Sequence, residues 1–392
     1  MTTLLATLLL LCGMALLVPS FYLLLLTVAS LFYQSPSRRN HSPKHRFAIL
    51  VPAHDEETLL PGLLKSLEEL DYPPSLRRVY VVADNCSDNT AAVAADYECV
   101  VHERSDPEFR SKGYALQWLL ERIASSGDAF DAYVFLDADC VASRNFLTVA
   151  DTQLQLGHKA VQAYDGAANP TESWVSSLRY IALVLRHHAR SRGREVLGLS
   201  CGLFGTGMVF HRSIIETYGW HTHGLVEDVE YYLHLTKHGI RVNFAPEATV
   251  LSGMPASLRD ARSQNERWEK GRLEVAKRHV PSLVWQSLNT RSAMKLDAAI
   301  EQAIPPLSIV VLASVVLFGA SLAMGGPVHI VIAAAVLAAL LGHVTIGLTS
   351  ARPPAAVLLS VAYAPCFILW KLLLYARVML TGSRDWVRTR RD

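Results

Sequence analysis

Apolar residues run without a charge from Thr2 to Tyr33 and again from Ile304 to Ala351. Between them, Arg38 to Glu301 mixes apolar and charged positions at the density of a water-facing domain. A helix crosses the roughly 30 Å hydrocarbon core with about 20 residues. Leu4–Phe32 therefore predicts one transmembrane helix, with Pro19 as a point of kinking. A signal peptide would need a basic leader and an apolar core of roughly 7–15 residues. No Lys or Arg precedes this run, and it is longer than that. The cluster Arg38, Arg39, Lys44, Arg46 follows it, which by the positive-inside rule puts the central region in the cytoplasm. Ile304–Ala323 and Val328–Thr349 predict a helical hairpin across Gly325-Gly326-Pro327. Pro354–Trp370 is a third apolar run, followed by Lys371, Arg377 and a basic tail of Arg384, Arg388, Arg390 and Arg391. Three crossings would export that tail, so either the last segment is interfacial or the charge rule gives way here.

The central region changes period. Phe47–Ala53 is an apolar run of strand length, and Leu60, Leu63, Leu64 and Leu67 then recur at helical spacing. Val79–Ala83 and Ala132–Leu136 repeat the strand signal, so the pattern predicts β-α-β units and a mostly parallel sheet. Ligands of such sheets bind outside the carboxyl ends of the strands. The acids and histidine at three strand ends (His54/Asp55, Asp84, Asp137/Asp139) are thereby expected to converge on one edge. The expected organisation is a transmembrane helix at 1–34, a basic linker at 35–46 and a cytosolic α/β catalytic domain at 47–280. An interfacial segment at 281–303, transmembrane or interfacial helices at 304–380 and the tail at 381–392 complete it.

Composition narrows the function. Charged residues make up 18% of the chain, below the roughly 25% of soluble domains, and the deficit lies in the apolar runs. A net charge of +2 excludes the basic excess of a nucleic-acid binder. The six cysteines form no CxxC pair and read as buried free thiols, with no zinc site or disulfide framework. Gly202, Gly205 and Gly207 are spaced GxxGxG, which is not the dinucleotide fingerprint, and no P-loop occurs. Phosphates then need another device. Two neighbouring carboxylates neutralised by Mg²⁺ or Mn²⁺ provide one.

Five segments in order, VPAHDEE (51–57), VVADNCSDNT (81–90), LDADC (136–140), VEDVE (226–230) and QNERW (264–268), resemble the family 2 glycosyltransferases. The resemblance is closest to the membrane-bound branch of cellulose, hyaluronan, chitin-oligosaccharide and poly-N-acetylglucosamine synthases, and covers about Phe47 to Arg272. It implies a GT-A fold and a UDP-sugar donor. Pro52, Ala53, Glu56 and Asp84 would line the uridine pocket, with Lys112, Gln264 and Arg267 also on the donor. Asp137 and Asp139 would form the DxD, with Asp139 on the metal. Asp228 would be the catalytic base, and Trp268, Glu227 and Gly205 would face the acceptor. Val226 and Asp55 depart from the usual Thr and Asn.

One base and no second nucleophilic carboxylate at matching spacing point to a single inverting displacement. Ala256–Arg272 reads as a helix on which Gln264, Arg267 and Trp268 share a face, opposite an Arg262, Glu266, Lys270 stripe. The run Arg186-His187-His188-Ala189-Arg190-Ser191-Arg192 with Arg194 reads as a basic surface, since adjacent histidines diverge on a helix. His221 and His223 read as solvated or as mobile loop residues over the site. The expected activity is β-transfer to a growing glycan at the inner or plasma membrane. A glycolipid-forming transferase is the alternative, and an inactive membrane scaffold belongs to a third class. The partners are the UDP-sugar, a glycan or lipid acceptor and membrane lipids. The sequence leaves open a homo-oligomer or a partner subunit.

Overall fold

The computed structural model describes residues 2–36 and 42–380; Arg38, Arg39 and the arginines of the tail lie outside the described residues. Eight strands form one sheet: β1 (Phe47–Ala53), β2 (Arg77–Asp84), β3 (Val100–Arg104), β4 (Ala132–Phe135), β5 (Cys140–Ala142), β6 (Ala160–Ala167), β7 (Met208–His211) and β8 (Val242–Ser252). Their order is β3-β2-β1-β4-β7-β6-β8-β5. The half β3-β2-β1-β4 is parallel, as the alternating pattern predicts. Beyond it β6 still pairs parallel with β8, but antiparallel neighbours enter. β7 runs antiparallel to both β4 and β6, and β5 antiparallel to β8, so the sheet is mixed. The cause is local: β4 and β7 are four residues each, too short to advertise a direction in their apolar pattern.

Both faces of the parallel half are covered. β1 is buried along nearly its whole length, and Leu60, Leu63, Leu64 and Leu67 of the following helix bury the predicted face against it. Because β1, β2 and β4 are parallel neighbours, their carboxyl ends open on one edge of the sheet.

Among the described residues, four helices are long and apolar enough to cross a membrane: Leu4–Ser30, Leu307–Met324, Pro327–Ala351 and the segment Ala355–Leu380. The third apolar run thus extends ten residues past its expected end. The N-terminal helix continues through Pro19. It packs on the sheet-bearing domain at Gly193, where a Cβ would lie 1.9 Å from the Leu26 carbonyl oxygen. No other residue type fits that approach. Thr27 and His343 bond at 2.6 Å between the N-terminal helix and Pro327–Ala351.

Three expectations need correction. The helix expected to end near Arg272 spans Asp260–Thr290, with Pro281 inside it, and runs through the expected boundary at 280. The run from Arg186 to Arg194 is not a surface: His187 and Arg194 are buried. Arg194 pairs with Asp297 at 2.9 Å and Glu301 at 2.6 Å, and Arg190 with Glu301 at 3.0 Å. Tyr22 of the N-terminal helix joins them by donating to Asp297 at 2.6 Å. The acids sit over 100 residues away on the helix Ala293–Ala303, so no local pattern announced them. Of the six free cysteines only Cys140 and Cys201 are buried; Cys12 and Cys366 are exposed on apolar helices.

Candidate active site

A single cavity of about 2000 Å³ opens at the carboxyl edge of β1, β2 and β4, and every site residue expected from the sequence lines it. At one end are Pro52 and Ala53 of β1, Glu56, and Asp84 at the end of β2. Asp84 is 7% exposed, and its Oδ1 accepts from Arg104 at 2.6 Å and from Asn85 at 3.1 Å. Arg104 comes from β3 and also holds Asp106 at 2.9 Å. A guanidinium braced from both sides fixes the Asp84 carboxylate in place. Asp55 and Asn85 adopt positive φ, 54° and 52°, where the chain turns sharply off the two strands.

Mid-cavity, Asp137 and Asp139 follow β4. Lys112 opens the helix Lys112–Ser125, capped by Ser111, and reaches across to this group. Its Nζ lies 2.5 Å from Asp137 Oδ1 and 3.4 Å from Glu227 Oε1, and donates to the Gly205 carbonyl at 2.7 Å. Burial opposes its charge, but the Asp137 and Glu227 carboxylates outweigh that and hold the ammonium protonated well above its ordinary range. Gly205 has a φ of +85°, and a Cβ there would sit 3.4 Å from Lys112 Nζ and 3.6 Å from Asp228 Oδ2. Glycine thus lets the loop approach both groups.

A helix spans Glu227–Lys237, with Val226 at the N-cap and no side-chain cap. Asp228 is therefore a first-turn residue, not the cap. Burial pushes its pKa up to about 7, with Glu227 adding repulsion and Lys112 drawing it back. A carboxylate with that affinity for protons is well matched to general-base work near neutral pH.

Gln264, Arg267 and Trp268 share the cavity-facing side of the long helix, and Arg262–Glu266 pair at 2.9 Å on the other, as the spacing predicts. Gln264 is buried and its Oε1 accepts from Arg179. The Arg179 guanidinium lies 5.4 Å over the Trp268 ring, a cation–π contact that orients the indole. His223 stacks on Tyr114 at 3.9 Å and bonds Gln117 at 2.6 Å, so this loop histidine is anchored.

Several residues escaped the sequence reading. Arg104 and Arg179 act on motif residues from distant positions. Asp165, near the carboxyl end of β6, lines the cavity and pairs with His187 Nδ1 at 3.1 Å. Burial raises the Asp165 pKa and lowers that of His187, and each partner opposes the other's shift. His187 stacks on Phe204 at 3.8 Å. An acid closing an apolar strand in AYDGA was the available signal, the same one that marks Asp84.

The residues fit a divalent cation. Asp137 and Asp139, two residues apart after β4, both line the cavity and offer hard carboxylate oxygens, although Asp137 is already paired with Lys112 at 2.5 Å. Among the described residues, a separate group of Asp55, Cys86 and Asp88 also places ligand atoms within 4.8 Å of one another, but it does not include the DxD.

The family model described as "Glycosyltransferase like family 2" matches residues 43–271. The chain is 25% identical over 241 residues to the probable glycosyltransferase YdaM of Bacillus subtilis, covering 60% of this chain and 57% of that one. It is 28% identical over 233 residues to the beta-monoglucosyldiacylglycerol synthase of Trichormus variabilis, covering 57% and 48%. The chain thus spans about half the length of these curated relatives. Among solved structures, the mannosyltransferase PcManGT from Pyrobaculum calidifontis, in complex with GDP-Man and Mn2+, superposes with a TM-score of 0.60 at 17% identity. That match covers 96% of this chain and 100% of the other, so the shared GT-A fold includes the flanking helices.

Proposed function

We infer, from the premise that the chain belongs to the glycosyltransferase-like family 2, that it moves a sugar from a UDP-sugar to a growing glycan at the membrane, with inversion. The observation that carries this reading is the single cavity. It joins Asp84, the DxD, Asp228 and Trp268 and then continues between apolar helices. The UDP end would be gripped by Pro52, Ala53, Glu56 and an Asp84 braced by Arg104, with Lys112, Gln264 and Arg267 beside the diphosphate. Asp137 and Asp139 would hold Mg²⁺ or Mn²⁺, which when bound supplies charge to the departing diphosphate. Asp228 takes the proton of an acceptor hydroxyl as its oxygen bonds to the anomeric carbon. The bond from that carbon to the phosphate oxygen breaks on the opposite face, and UDP leaves. A β-linked product from an α-linked donor follows. Glu227 and Gly205 frame the acceptor side of this base, and Trp268 offers a flat face to the acceptor sugar.

A glycolipid acceptor is a second reading. It is favoured by the apolar far end of the cavity, where Leu307, Val311, Val344 and Phe367 form the wall. In either case the domain at 47–280 faces the cytoplasm, and the helices lie in the inner or plasma membrane. The test is to purify the full chain in detergent and screen UDP-sugars for UDP release with Mg²⁺ or Mn²⁺. The product is then sized. UDP release that yields an extended glycan supports the first reading, and a single-sugar lipid the second. No release with any nucleotide sugar removes both.

A further inference from the structure

The helical stretch from Trp174 to Val196 contains a π-helical turn at Val184–Ala189, a local widening found mostly at functional sites. The turn divides two neighbouring side chains. Both line the cavity, but His187 pairs with Asp165 and stacks on Phe204, while the Arg186 guanidinium makes no such contact. Arginines at 186, 190 and 194 fall on successive turns of this helix, yet they are treated differently. Arg190 and Arg194 are satisfied by Glu301 and Asp297. The half-buried Arg186 guanidinium has neither a hydrogen bond nor an ion pair among the described residues. Burial, and then the nearby Arg272, disfavour its charge, while the Glu301, Asp228 and Glu269 carboxylates act the other way without touching it. Arg272 lines the same cavity and spends its bonds on the carbonyl oxygens of Glu301 and Ile304, with no carboxylate of its own. A guanidinium drawn out of water beside a second cation, with acids acting on it only at longer range and no direct hydrogen bond or ion pair, is costly unless a ligand supplies the missing contact. A planar guanidinium is the group best suited to phosphate.

The surroundings say what carries that phosphate. On the same helix Leu178, Ile181 and Leu185 line the cavity, and the membrane helices add Leu307, Val344 and Phe367. Arg186 thus stands between this apolar wall and Asp228, whose carboxylate is close enough to act on it electrostatically. We propose that Arg186 and Arg272 form an anion subsite that receives the phosphate of a lipid acceptor, whose apolar chain lies between the membrane helices. This deepens the transferase reading and rests on it. The acceptor is an anionic amphiphile, not a neutral one, and its phosphate sets the distance between the lipid–water boundary and the hydroxyl delivered to Asp228. The donor diphosphate keeps its own cation, Arg267, whose buried Nε has no hydrogen-bond partner among the described residues and which lies on the helix that carries Trp268.

The full chain in detergent is loaded with a fluorescent short-chain phosphatidic acid. Displacement is measured with dioctanoyl phosphatidic acid, dioctanoylglycerol and inorganic phosphate, and UDP binding is measured separately. Phosphatidic acid should displace the probe at least roughly tenfold better than either of the others, the scale of a charge-assisted contact. Arg186→Gln, which breaks no ion pair, should remove that preference while UDP affinity stays at the wild-type value. Arg272→Gln should reduce the preference in the same direction. An unchanged preference in Arg186→Gln overturns the proposal. So does a loss of UDP affinity instead, which would assign Arg186 to the donor. Equal displacement by inorganic phosphate overturns the lipid part. A chain that binds no UDP at all defeats the transferase reading, an outcome distinct from each of these.

Discussion

At the strand-edge end of the cavity, where the donor is proposed to bind, the wall carries Asp84, Asp137, Asp139 and Asp165; at the membrane end Arg186, Arg190 and Arg272 stand with a paired Glu269 and Lys371 among apolar side chains. The donor end uses cations as braces for its acids: Arg104 on Asp84, Lys112 on Asp137, His187 on Asp165. The membrane end reverses the relation, with Asp297 and Glu301 bracing Arg194 and Arg190. On the reading proposed above, one end takes a cation and the diphosphate it neutralises, and the other an anion. Asp228 stands between them. If that reading holds, the difference teaches that polarity along a single cavity orders two substrates without a second domain.

The sharpest way to break the donor half is to remove its metal function. With excess EDTA, or in Asp139→Ala, sugar transfer should be abolished; full turnover in EDTA would remove the metal from the account. On the membrane side, Arg194→Ala leaves buried Asp297 and Glu301 short of a partner, which typically costs about 3–5 kcal/mol. Thermal unfolding of the detergent-solubilised chain should shift down strongly, while Arg262→Ala, which breaks an exposed pair, should leave it nearly unchanged. Equal shifts would show that the network does not tie the N-terminal helix to the domain.

Smaller effects sharpen the contrast. Arg104→Gln should weaken UDP binding by roughly tenfold, the value of one charge-assisted bond, with little change in kcat. Trp268→Ala should shorten or abolish the product while UDP affinity persists, and lost donor affinity with normal product length would move Trp268 to the other end.

The donor end was legible because its chemistry sits in short contiguous motifs at strand ends, where direction of chain and position of side chain are set together. Asp84, Asp137 and Asp139 needed only the rule that parallel strands open at their carboxyl edge. The membrane end was not legible in this way. Arg194 read as exposed because its acids lie on a helix that begins at Ala293, and its tyrosine lies at position 22. Charge satisfied across such separations leaves no period in the sequence. The mixed half of the sheet was hidden for another reason. β6 and β8 run parallel through an irregularity between Ala163 and Tyr164, with the antiparallel β7 beside them, and alternation does not reveal pairing partners.

The account depends most on Asp228, and turnover against pH for the wild type and Asp228→Asn, with UDP affinity measured beside it, tests it directly. A base works deprotonated, and burial raises this carboxyl to about 7. The wild-type kcat should therefore climb as pH rises through about 7 and level off above it. In Asp228→Asn the rate should fall by at least the roughly 10²-fold of a general base, the step near 7 should vanish, and UDP affinity should hold. Near-wild-type turnover in Asp228→Asn, with the pH step intact, would contradict the assignment.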